Sequence, residues 1–162
     1  MIFLSKQGAY DLLSSNFDYY KNFSNTDWKV RGVRNYFEYL MKIYEAVGQF
    51  TRYERSRLKR CIKIANQKLL QIGQTFEWFD GKICIKIPWR IACVRNDDYE
   101  NGLPHTVNDT IVLSEHILNH YEDDALARLL IHEKVHIFQR YYPAFVRKYL
   151  RMNNFKIYKK RT

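Results

Sequence analysis

Apolar residues recur at helical spacing through the first half of the chain. Residues 6–22 fit a helix with a mixed face, residues 34–49 fit a helix better, and residues 52–72 fit a basic helix. In the second segment the residues at helical spacing are Tyr36, Phe37, Leu40, Met41, Tyr44 and Val47. In the third segment we expect the inward residues to be Leu58, Ile62, Ala65, Leu69 and Ile72.

The pattern changes after residue 75. Two short apolar runs, 76–79 and 82–87, flank Asp80-Gly81, a dipeptide typical of tight turns, and together they predict a hairpin. The elements expected after it are a strand at 89–94, a polar loop at 96–108, a strand at 110–113, a short helix after Ser114, and helices at 121–141 and 143–153. Helices followed by a small antiparallel sheet and then by more helices predict an α+β fold.

The length of 162 residues favours a single domain. We expect a helical part at 1–72, a part at 73–153 that combines the sheet with the last long helices, and a basic tail at 154–162. The opening residues are too short for a signal-peptide core, and no apolar stretch approaches the length of a membrane span. Three cysteines without a CxxC pair favour a reducing compartment over a disulfide framework.

The sequence His132-Glu133-Lys134-Val135-His136 is an HExxH motif inside the helix predicted at 121–141. Residues four apart lie on one side of a helix, so the two imidazoles are able to bind one ion. Zinc lowers the pKa of a bound water and polarises carbonyls, and a neighbouring carboxylate such as Glu133 accepts the proton. The motif therefore predicts metal-assisted hydrolysis, with zinc on His132 and His136 and with Glu133 as general base.

This motif resembles that of the zincin metallopeptidases, which share HExxH on an active-site helix beside a small sheet. The segments 103–106, 109–113 and 132–140 also look like uncharacterised zincin-like proteins of large DNA viruses and bacteria. The resemblance implies a minimal zincin-like fold, a zinc cofactor and a peptide or protein substrate. The short opening segment and the lack of a membrane-spanning stretch lead us to expect a location in the cytoplasm or inside a virus particle.

A third protein ligand to zinc has to come from upstream of the motif. No His, Asp, Glu or Cys follows His136, which excludes the downstream ligands of the best-known zincins. We predict His105 as this ligand, because it lies in a turn-like stretch just before the strand at 110–113. Glu115 and His116 are the alternatives, with His120 one helical turn beyond His116 and Cys93 as a less favoured donor.

Three residues near the end of the motif helix are expected to support the site. Gln139 follows His136 by three residues and is a predicted hydrogen-bond partner for a ligand histidine. Arg140 is predicted to bind an acid or a substrate carboxylate. Tyr142 is predicted to donate a hydrogen bond to an oxyanion.

The charge of the chain leaves two alternatives to the enzyme open. The formal net charge is +10, with basic runs at 52–60 and 156–161. Such a surface favours non-specific nucleic acid or an acidic partner, as expected for a nucleic-acid-binding module. The other alternative is a structural or particle-associated protein that keeps a zincin-like fold with little or no activity.

Overall fold

Helices and short strands alternate along the chain in the computed structural model, which describes residues 1–95 and 97–156. The first elements are β1 (Ile2–Phe3), α1 (Lys6–Ser14), α2 (Phe17–Tyr20), α3 (Asn25–Val30), α4 (Tyr36–Ala46), β2 (Val47–Gly48) and α5 (Arg52–Thr75). The later elements are α6 (Gly81–Lys86), β3 (Arg90–Val94), β4 (His105–Val107), β5 (Thr110–Ser114), α7 (Glu115–His120), α8 (Asp123–Tyr141) and α9 (Pro143–Met152). The α+β class predicted from the sequence is confirmed.

The five strands form one mixed sheet. Its order is β1-β3-β5-β4, and β2 pairs with β3 on the same edge that β1 uses. Strands β1 and β5 run parallel to β3, whereas β2 runs antiparallel to β3 and β4 runs antiparallel to β5. The predicted antiparallel sheet is therefore wrong. Strands β1 and β2, which come from the part of the chain expected to be helical, belong to the same sheet as β3.

Asp80-Gly81 begins a helix instead of turning a hairpin. The Asp80 carboxylate accepts a hydrogen bond from the Ile83 N–H at 2.9 Å and caps α6. Gly81 lies so close to α5 that an added Cβ would sit 2.2 Å from the Leu69 carbonyl oxygen. The predicted hairpin is wrong because Asp80 caps α6 and Gly81 allows α6 to pack closely on α5.

The predicted helices at 34–49 and 6–22 differ from the observed ones in detail. Helix α4 buries Tyr39, Ile43 and Ala46. Three residues of the apolar series in this helix are exposed instead, namely Phe37, Met41 and Tyr44. The segment 6–22 forms two helices, α1 and α2, because Ser15 and Asn16 interrupt it.

The sheet separates two apolar clusters. The cluster that contains α5 and α8 includes Ile91, Cys93, Ile111 and Leu113 from the sheet. The cluster that contains α1 and α4 includes Ala92, Val94, Val107 and Val112. Because neighbouring residues of a strand face opposite sides, this alternation decides which side chains of β4 can approach α8.

The loop before β4 is fixed by a partly buried carboxylate. Glu100, whose φ of 49° lies in the left-handed region, accepts hydrogen bonds from Arg31 Nε at 2.9 Å and from the Tyr39 hydroxyl at 2.8 Å. Burial raises the pKa of Glu100, but hydrogen bonds from Arg31, Tyr39 and Tyr19 outweigh burial and hold this pKa below its ordinary value of 4.5. The carboxylate is therefore ionised at neutral pH and ties the loop to α3 and α4.

We expect Glu100→Gln to lower the free energy of unfolding by about 2–3 kcal/mol at pH 7, because Arg31 would lose its charged partner. Since the folded-state pKa is depressed, the contribution of Glu100 is fully present above pH 4.5 and is lost as pH falls through the folded-state value. Urea titrations at several pH values measure both effects. Glu38→Gln, in the exposed pair with Arg34, is the control. Equal stability changes in the two variants would contradict the prediction.

The three cysteines are separate thiols within the core. Burial raises the pKa of Cys93 to about 12, which makes this side chain a poor metal ligand at neutral pH. Among the described residues, no helix has both the length and the apolar character needed to cross a membrane. Most of the predicted basic tail, residues 157–162, lies outside the described residues.

Candidate metal centre

Helix α8 carries the HExxH motif across one edge of the sheet. Asp123 and Asp124 in its first turn interact favourably with the helix dipole, and Pro143 follows its last turn. Its inward side buries Leu126, Ala127, Leu130, Ile137 and Phe138. The helix packs against α5, α6, β4 and β5, so core packing fixes the direction in which each motif residue points.

The two motif histidines converge on the outer face of α8. Both side chains are exposed, and their Nε2 atoms are 3.1 Å apart, with the two rings perpendicular. Two nitrogens that bind one tetrahedral zinc at about 2.0–2.1 Å would be separated by about 3.3 Å. The same distance also suits a hydrogen bond between two neutral imidazoles. His132 and His136 therefore fit two positions of a single zinc site with little rearrangement.

Glu133 lies on the side of α8 that faces strand β4. Arg140 follows Glu133 by seven residues and so shares its side of the helix. The Arg140 guanidinium donates to the Asn108 carbonyl oxygen at 2.8 Å and to the Thr106 hydroxyl, which places β4 on this side. A carboxylate at position 133 therefore lies between the histidine pair and the edge strand.

The Glu133 side chain is only 4% exposed and has no hydrogen-bond partner within residues 1–95 and 97–156. The carboxylate oxygens are nevertheless not fully enclosed, so a small part of their surface is open to solvent. A carboxylate without a protein partner is free to accept a proton from a water molecule.

The three residues predicted to support the site from the end of α8 lie in different surroundings. Gln139 is partly exposed on the same face as the histidines. Arg140 uses its guanidinium for β4 and the following turn, and contacts no carboxylate within the described ranges 1–95 and 97–156. The Tyr142 ring packs against Phe138 and Phe145, and its predicted role as an oxyanion donor stays a prediction.

The structure does not bring the predicted third ligand to the histidine pair. His105 pairs with Val112 of β5 and so faces the cluster of α1 and α4, on the opposite side of the sheet from α8. There His105 contacts the Tyr99 ring and lines a cavity of about 320 Å³. Strand alternation directs Thr106, and not His105, towards α8.

The alternative ligands lie elsewhere as well. Glu115 is 3.4 Å from Arg95, at the C-terminal end of β5. His116 stacks on His120, which contacts the His116 carbonyl oxygen through Nδ1 at 3.0 Å. Across the part of the chain that the structure describes, no three His, Cys, Asp or Glu residues form a group suited to a metal ion. The candidate centre therefore consists of two histidines.

Lys134, inside the motif, is a positioning residue that the sequence did not reveal. Its side chain is fully buried, and its ammonium donates to the carbonyl oxygens of Ile87 at 2.6 Å and Pro88 at 3.1 Å. The ammonium also lies 4.5 Å from the centre of the Trp89 ring. Lysine is rarely buried, and the motif alone gives no sign that this one joins α8 to the segment before β3.

Comparison of the chain with protein-family models, with curated proteins and with solved structures found no match.

Proposed function

We propose that this chain is a zinc-dependent hydrolase with a zincin-like arrangement, acting on peptide bonds. His132 and His136 hold the ion, and Glu133 is the general base. The observation that carries the proposal is the 3.1 Å separation of the two Nε2 atoms on a helix whose orientation is fixed by packing. The neighbouring carboxylate without a protein partner supports it.

Bound zinc supplies a Lewis acid that acidifies water and polarises a carbonyl group. Glu133 takes one proton from the attacking water while the water oxygen bonds to the carbonyl carbon. The same proton passes from Glu133 to the amine nitrogen as the carbon–nitrogen bond breaks. The carboxylate thus returns to its starting state after each cleavage.

Strand β4 supports a peptide as the substrate. It forms the last strand of the sheet among the described residues, so one edge of its backbone has no strand partner there. An extended peptide pairs with such an edge through main-chain hydrogen bonds. Because β4 borders the Glu133 side of α8, a peptide on that edge passes beside the general base.

The test is cleavage of a mixed peptide library by the zinc-loaded chain, with products identified by mass spectrometry. We expect cleavage that stops when a chelator removes zinc and resumes when zinc is added back. Cleavage that persists without zinc would contradict the metal-dependent mechanism. A chain that binds zinc and cleaves no peptide would contradict the hydrolase.

That last outcome would favour a second candidate function, a structural protein that binds zinc without turnover. The observation behind it is the two-histidine centre, since catalytic zinc usually has three protein ligands. The two candidates predict the same zinc binding and differ only in cleavage.

A further inference from the structure

The outer face of α5 carries four basic residues without acidic partners among residues 1–95 and 97–156. They are Arg52, Arg55, Lys59 and Lys63, and all four are exposed. The cations beside this face are paired. Arg57 and Arg60 contact Asp123, and Lys68 contacts Asp124. The four unpaired cations therefore lie together on one face of one helix, which we call the α5 basic face.

The α5 basic face is rigid and regular. A capping box between Thr51 and Glu54 begins the helix, and its inner side packs on α6 and α8. From Arg52 to Lys63 the face extends about 16 Å at 1.5 Å per residue. This length matches roughly five steps of a B-form DNA strand, which carries one phosphate every 3.4 Å along the axis.

The side chains around the four cations narrow the choice of partner. Ser56 and Gln67 share this face and are polar, and the exposed Tyr53 at its margin is a single aromatic ring. The face therefore lacks the row of large apolar residues with which a helix enters a lipid surface. Arg55 also stacks over the Phe3 ring, which holds its guanidinium in place. A row of four exposed cations without a matching row of apolar anchors suits a regular polyanion better than a membrane or a protein hot spot.

We propose that the α5 basic face binds the phosphate backbone of a nucleic acid without selecting a sequence. The four cations bind phosphates, and contacts to phosphates carry no information about the bases. This interaction is independent of the histidine pair, which lies on α8. It accounts for charge that the proposed hydrolase leaves unexplained.

The test measures binding of a fluorescent random duplex of about 20 base pairs by anisotropy, over a series of salt concentrations. Chelator is present, so that zinc plays no part. The basic-face variant is R52Q/R55Q/K59Q/K63Q. The matched control is K29Q/K82Q/R147Q/R151Q, which removes the same number of positive charges, likewise unpaired among the described residues, from other exposed positions.

We expect the slope of log affinity against log salt to be less steep in the basic-face variant by about 3–4, or 0.9 for each phosphate that is no longer neutralised. Its affinity at roughly 0.1 M salt should fall at least tenfold, while the control changes little. Equal losses of affinity in both variants would show that net charge alone causes the effect, and would overturn the proposal. Unchanged binding by the basic-face variant would overturn it too.

Two further measurements keep the proposal open to refutation. If the fourfold variant loses its thermal unfolding transition, R52Q/R55Q and K59Q/K63Q are measured separately, and each should flatten the slope by about 2. Vesicles that contain anionic lipid serve as the second probe. Binding of the wild-type chain to vesicles but not to the duplex would assign the face to a membrane surface instead.

Discussion

Replacing both His132 and His136 with alanine is expected to abolish zinc binding. The two Nε2 atoms are already at a separation that one ion can use, so the wild-type chain should hold about one zinc. Without the imidazoles, the centre loses both of its proposed metal ligands. The affinity should fall on the order of 10³-fold or more, measured by metal analysis and by competition with a chromophoric chelator.

The chain contains a matched control for this experiment. His116 and His120 are also exposed histidines four residues apart, but their rings are stacked, and His120 Nδ1 contacts a backbone carbonyl. H116A/H120A should leave zinc binding unchanged. His105→Ala should also leave it unchanged, because this side chain lies across the sheet. If His105→Ala releases zinc, or if H132A/H136A retains it, the two-histidine centre is wrong.

Glu133→Gln is expected to leave zinc bound while peptide cleavage falls on the order of 10²-fold or more. The amide has nearly the shape of the carboxylate, so the helix and the histidines should stay in place. It cannot accept the proton that the attacking water must lose. The measurement is the initial rate of peptide cleavage at equal zinc occupancy, with zinc content determined on the same samples.

Glu115→Gln is the control for a general loss of negative charge near the sheet, since Glu115 contacts Arg95 and lies away from the motif. It should cleave at the wild-type rate. A Glu133→Gln variant that cleaves normally would remove Glu133 from the mechanism. If Glu133→Gln loses zinc as well as activity, Glu133 helps to hold the metal ion and is not shown to act as the general base.

The long helices were predictable because their signals are local and repeated. Helix α5 was expected at 52–72 and is observed at Arg52–Thr75, and α8 was expected at 121–141 and is observed at Asp123–Tyr141. Leu58, Ile62, Ala65 and Leu69 are buried, as their spacing predicted. Over many turns, one misleading residue changes such a pattern little.

The sheet and the position of His105 were less predictable because they depend on contacts between residues that are distant in the sequence. Two residues, Ile2 and Phe3, pair with β3 almost ninety positions later, and a strand so short has no periodicity to detect. Asp80-Gly81 has the residue types of a hairpin turn, and only the proximity of α5 makes it the beginning of a helix. His105 was misplaced for a related reason, since a shift of one residue along a strand reverses its side.

Lys134 holds α8 in one rotational orientation, and so sets the side of the helix on which the histidine pair lies. If α8 turned by one residue, about 100°, the ammonium would leave the carbonyl oxygens of Ile87 and Pro88 and enter apolar surroundings. Moving that charge away from its acceptors costs several kcal/mol, so intermediate orientations of the helix are unfavourable. An ion bound at this pair would therefore meet a helix whose direction is already set, so that only the side-chain rotations of the two histidines would remain to be fixed on binding.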